Sequence, residues 1–152
     1  MTVSGETGSF SITLIDDSIS DINETIDLTL TAIDKSIELC DETLISNTIT
    51  IVDDEAAPTI TLAASASSIA ENAGSSITLT ATSSIISGSD ITVSFDTSGT
   101  ATEGTDYGTI SDITISAGST TGTTTFTPTD DSMYETSTDE TATIAIATVS
   151  GG

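Results

Sequence analysis

The end of this chain repeats its beginning. Laid under one another, residues 8–18 match residues 122–132, and each run closes on an aspartate pair followed by serine: Asp16, Asp17 and Ser18 in the first, Asp130, Asp131 and Ser132 in the second. After a short insertion the match resumes, 24–30 over 140–146, with Ile26, Leu28 and Leu30 lying over Ala142, Ile144 and Ile146. Self-similarity of this kind means that one supersecondary unit is used more than once, and alternation with period two makes that unit β. The first copy lacks its opening part and runs on through Cys40 to a strand predicted at 47–52, then to Asp53, Asp54 and Glu55. The second copy has an opening part and stops before its counterpart of 47–52. The expected organisation is therefore the closing half of a first repeat at 1–55, a linker at 56–58 and a second repeat at 59–152 without its last strand. Pro58 marks the join, because proline cannot donate to a ladder.

In the second copy, alternation of Ile, Val, Leu and Phe with Thr and Ser predicts strands at 59–63, 76–82, 90–96, 107–115, 123–129 and 140–149, with turns at 87–89 and 97–99. Composition agrees: 33 Thr and 24 Ser in 152 residues favour pleated strands and polar turns over helix. The predicted fold class is all-β, an antiparallel β-sandwich. In the first copy Phe10, Ile12, Leu14, Ile26, Leu28, Leu30, Ile49 and Ile51 form half a core that needs a covering sheet. Tyr107 and Phe95 read as core residues.

Charge narrows the function. The chain has 24 acidic residues against one basic, no histidine and a net charge of -23. It has no basic patch to neutralise phosphates, which argues against nucleic-acid binding and against electrostatic attachment to anionic lipid. General acid–base and nucleophilic catalysis lean on His, Lys or an activated Cys, and Cys40 has no imidazole to activate it, so the expectation is not an enzyme. Carboxylate-only glycoside chemistry would need a stacking cleft, and there is no Trp and only 3% aromatic residues. No apolar run is long enough for membrane insertion, and the start lacks the basic flank and apolar stretch of a signal peptide. Near-absence of Lys beside heavy Ser/Thr use predicts an extracellular, cell-surface protein of microbial type. Its Thr-rich faces are candidates for O-glycosylation, and Asn23, Glu24 and Thr25 form an N-glycosylation triplet.

The acids gather in groups: Asp16, Asp17, Asp21 and Glu24; Asp53, Asp54 and Glu55; Asp130, Asp131, Glu135, Asp139 and Glu140. Packed carboxylates repel one another unless a cation sits among them. Oxygen donors at flexible spacing, without His or Cys, specify Ca²⁺ ahead of zinc or copper. The alternative is a set of solvated loops that keep the protein soluble.

The second copy also carries Ile69, Glu71, Asn72 and Gly74 before a strand, then Gly99, Ala101, Gly104, Asp106 and Tyr107, then Gly118 in a turn, and Asp130 with Asp131. This ordered set resembles the Calx-β repeat, a seven-stranded sandwich of sodium–calcium exchangers, an integrin subunit and tandem arrays on bacterial surface proteins. The resemblance implies calcium ligands at Glu71, Asp106, Asp130, Asp131 and Glu135 in the second copy. Thr138 stands where the family has a further acid, so Asp139 or Glu140 would substitute. In the first copy it implies Asp16, Asp17, Asp21, Glu24, Asp53 and Asp54. Each copy departs from the pattern, the first lacking the early ligands and the second the closing aspartates.

These readings converge on a non-enzymatic structural module of a surface fibre or adhesin, stabilised by Ca²⁺. Its expected partners are copies of itself, in a tandem array or a head-to-tail filament made by inter-chain β-strand complementation. The alternative is a calcium-responsive regulatory or ligand-binding domain of a larger membrane or surface protein.

Overall fold

Threonine and isoleucine are β-branched, and their alternation lays down strands wherever a partner is at hand. The computed structural model describes residues 2–4, 7–29, 46–131 and 139–152; Leu30, Cys40, Glu135 and Thr138 lie outside the described residues. In chain order the described strands are β1 (Thr2–Ser4), β2 (Thr7–Ser9), β3 (Glu24–Thr29), β4 (Ser46–Ile51), β5 (Ile60–Ala64), β6 (Ile77–Ser83), β7 (Ile91–Gly99), β8 (Ile113–Ile115), β9 (Thr121–Phe126) and β10 (Ala142–Gly151). One 3-10 turn, Glu71–Ala73, precedes β6 and ends on Gly74, whose φ of 59° is a left-handed conformation that glycine adopts at little cost.

Two three-stranded antiparallel sheets, in the orders β5-β6-β9 and β10-β7-β8, make the sandwich. Its core is the inward set of the central strands and of β8: Ile77, Leu79 and Ala81, then Ile91 and Val93, then Ile113 and Ile115. Phe95, Phe126, Ile144 and Ile146 pack around them. Each large aliphatic side chain so buried contributes roughly 1.5–3 kcal/mol relative to exposure, which is how a chain with few aromatics sustains a core. The sheets approach closely at Gly122 of β9, where a Cβ would fall on the Thr114 carbonyl oxygen and the Ile113 side chain.

The all-β, antiparallel sandwich is as the sequence predicts, and five of the six predicted second-copy strands have their counterparts within about two or three residues. Two readings are corrected. Residues 97–99 are not a turn, because β7 runs to Gly99 and pairs there with Ala142. Of the strand predicted at 107–115 only Ile113–Ile115 joins a sheet. A turn at 102–106, tied by the Asp106 N–H donating to the Thr102 carbonyl at 2.9 Å, redirects the chain. Tyr107 then makes only isolated bridges, to Glu103 and Pro128. It is nonetheless buried, its ring 4.9 Å from that of Phe126.

The segment before β5 is thinner. It holds two-stranded sheets, β1-β2 and β3-β4, the latter in register from Glu24 opposite Ile51 to Thr29 opposite Ser46. Residues 10–17, aligned by sequence with β9 and the residues after it, form no ladder among the described residues, and Phe10, Ile12, Leu14 and Ile49 are exposed. In the second copy β9 is held by β6, and no described strand pairs with residues 10–17. The segment joins the sandwich at Ser20, whose N–H donates to the Ile86 carbonyl and whose carbonyl accepts from Gly88, both at 3.0 Å.

Candidate metal centre

Two groups of acids take shape, each where loops meet at the end of a strand. In the first, β4 delivers Asp53, Asp54 and Glu55 just beyond Ile51 and Val52, and the loop before β3 brings Asp16, Asp17 and Asp21 against them. They line an open cleft of about 430 Å³, with Glu24 at its side and Leu14, Ile15, Ile22 and Val52 as its apolar wall. One carboxylate oxygen each from Asp16, Asp54 and Glu55 lies within 4.8 Å of the others. Ca²⁺–oxygen distances of about 2.3–2.6 Å place ligands on opposite sides of the ion about 5 Å apart, so this separation fits one shared ion.

The neighbouring acids are set by backbone hydrogen bonds. The Ile19 N–H donates to Asp17 Oδ1 at 2.9 Å, the Asp21 N–H to Asp53 Oδ2 at 3.1 Å, and the Asp53 N–H to Asn23 Oδ1 at 3.2 Å. These bonds tie the loop at 17–23 to the residues leaving β4. They also hold Asn23, of the glycosylation triplet, within the site. Glu55 feels the crowding: desolvation, a hydrogen bond with Asp53 and the charges of Asp54, Asp53 and Asp16 push its carboxyl above the ordinary value of 4.5.

The second group is looser. Glu71, on the 3-10 turn, accepts a hydrogen bond from the Asp131 N–H at 3.0 Å and shares a hollow of about 180 Å³ with Asp130. Asp106 anchors its own loop, Oδ2 accepting from the Thr102 N–H at 2.6 Å and the carbonyl from the Thr129 N–H at 2.9 Å. Asp139 and Glu140 are exposed just ahead of Thr141, whose carbonyl accepts from Thr100 and Ala101.

Of the sequence-predicted ligands, then, Asp16 and Asp54 converge, while Asp17, Asp21, Glu24 and Asp53 line the same cleft. Glu71, Asp130 and Asp131 meet without forming a comparable triad among the described residues. The third member of the first triad, Glu55, was not among the predicted ligands. Its only signal is that it continues the acidic run at the point where the chain bends. The donor set is entirely oxygen, which suits a hard cation and not a soft one. Comparison with protein-family models, with curated proteins and with solved structures finds no match for this chain.

Proposed function

We propose that this chain is a non-enzymatic structural module of Calx-β type, stabilised by Ca²⁺, from an extracellular fibre or adhesin built of repeats. The observation that carries the calcium reading is the convergence of Asp16, Asp54 and Glu55 within 4.8 Å from two loops far apart in sequence. An ion there would be held by these three, with Asp17, Asp21, Glu24 and Asp53 within the same cleft. It would supply charge neutralisation and a crosslink: the loop at 16–24 would be fastened to the residues just before Pro58, where the sandwich begins. The module reading is supported by the internal repeat, by the ordered motifs around Asp106 and Tyr107, and by an acidic composition that suits a cell surface.

The test is a thermal melt with calcium and with chelator. A ligand that binds only the folded state stabilises it, by about 2.7 kcal/mol at a hundredfold excess over its Kd, so calcium should raise the Tm and chelation should reverse the rise. Magnesium should do less, since it requires near-ideal octahedral geometry. Asp54→Asn should lose most of the response, whereas Asp112→Asn, outside both groups, should keep it. A melt unmoved by millimolar calcium would sink the calcium reading.

A further inference from the structure

The contact between the segment before β5 and the sandwich is prepared from both sides. On the sandwich it is made by Ile86, Ser87 and Gly88, in the connection from β6 to β7. That connection is held fast. The Ser83 N–H donates to the Thr120 carbonyl at 2.8 Å, the Ser84 N–H to the Thr59 carbonyl at 3.0 Å, and the Gly118 N–H to the Ser87 carbonyl at 2.9 Å. The Thr59 N–H returns to Ser84 Oγ and the Ser89 N–H donates to Ser87 Oγ, both at 3.0 Å. Facing it, the loop at 17–23 is drawn in by the bonds of Ile19 to Asp17 and of Asp21 to Asp53. Ser20 stands between the two, buried and in a parallel bridge with the equally buried Ser87, its N–H and carbonyl both bonded across the contact.

Gly88 shows that the two sides fit. It does not lie in the positive-φ region, so its backbone conformation does not call for glycine. Close approach does, because a Cβ at this position would fall on the Asp21 carboxylate.

The contact also lies beside the covalent join. Asp21 is bonded to Asp53, and Ser84 to Thr59, so the loop and its seat are fastened to the two ends of the stretch 54–58. A tether so short keeps the loop at its seat with little further loss of freedom.

We infer that the loop at 17–23 is a clasp that sets the first repeat at a fixed angle to the second, with Ser20 as its tongue and Ile86, Ser87 and Gly88 as its seat. This rests on the structural-module reading above and states how one module is joined to the next. Domains that share a small interface move against one another by default. Here a pre-formed seat and a short tether oppose that motion, as pre-organisation does in any association. The groups that meet are main-chain N–H and C=O and a glycine, so the clasp holds without the ion proposed for the neighbouring cleft. Successive repeats joined in this way behave as a rod and not as beads on a string.

The experiment is nuclear magnetic resonance on the full chain in chelator, reading amide hydrogen exchange and residual dipolar couplings. The Ser20 and Gly88 amides should exchange at least about tenfold more slowly than unprotected ones, as bonded and buried amides do. Couplings from β3–β4 and from β6–β7 should fit one alignment tensor. Gly88→Val, which fills the space of the Asp21 carboxylate, should release the Ser20 amide and require two tensors while the amides of β6 stay protected. Adding Asp21→Ala to that variant should restore protection at Ser20. A freely exchanging Ser20 amide, or two tensors, in the unaltered chain overturns the inference, whether or not the variants fold. So does a folded Gly88→Val chain that keeps Ser20 protected, or a loss that Asp21→Ala does not relieve. Repeats that tumble independently would still be modules, and the calcium melt is read separately, so neither earlier reading falls with the clasp.

Discussion

Glu55 is where the acidic character of the chain becomes a measurable property of one side chain. Desolvation comes first among the causes that raise its carboxyl above 4.5, followed by the bond with Asp53 and the charges of Asp54, Asp53 and Asp16. A folded-state value above the unfolded one means that the native state holds the proton more tightly. Its contribution to stability is then fully present below the unfolded value and is lost as pH rises through the raised one. In chelator, therefore, lowering the pH from neutral into the carboxylate range should stabilise this region. Glu55→Gln should flatten that part of the profile and raise the Tm at pH 7. With calcium the sign reverses, because the ion needs the ionised carboxylate and its binding releases the proton. Apparent calcium affinity should fall as pH falls through the same window, and Glu55→Gln should weaken binding at pH 7. Melts of both proteins in a pH series, with and without calcium, read each of these effects.

Among the elements, burial separates strands that carry the fold from segments that merely alternate. Leu79 is 3% exposed in the middle of β6, between β5 and β9, whereas Ile15 is 92% exposed in a segment without a ladder. Leu79→Ala should cost about 2–5 kcal/mol, the loss expected when a buried leucine leaves a cavity. Ile15→Ala should change stability by less than about 0.5 kcal/mol, as at other exposed sites. Denaturant titration distinguishes them. The same contrast explains how much could be read from the sequence. Period-two runs such as 77–83 located their strands closely, because alternation records which face is buried. Residues 10–14 alternate as well and form no ladder among the described residues, since alternation alone does not supply a partner strand. The extension of β7 to Gly99 is fixed by a distant residue, Ala142, which alternation does not record, and the turn at 102–106 by bonds between Asp106 and Thr102 that interrupt the run. At the site, acidic pairs near strand ends pointed to Asp16 and Asp54. Glu55 entered only through the bend that turns a third acid back on the other two.

At the scale of the whole molecule, a net charge of -23 on 152 residues sets the background against which any specific ion must act. Self-repulsion of that size destabilises the compact state, and salt screens it, with a Debye length of about 10 Å at 0.1 M. Sodium chloride alone should therefore raise the Tm of the chelated protein, steeply at low ionic strength and then levelling off. A divalent cation would produce part of this rise by screening, without any site. The two contributions separate if calcium is added at constant ionic strength, with sodium chloride withdrawn to compensate. The expected result is a further rise with calcium, saturating with its concentration, smaller with magnesium and reduced by Asp54→Asn. Screening depends on the whole charge distribution and should survive that single substitution almost intact, so the sodium-dependent part of the rise should be the same in both proteins. If matching the ionic strength erases the calcium effect, the carboxylates at 16, 54 and 55 are ordinary acidic surface and the ion is only part of the counterion atmosphere.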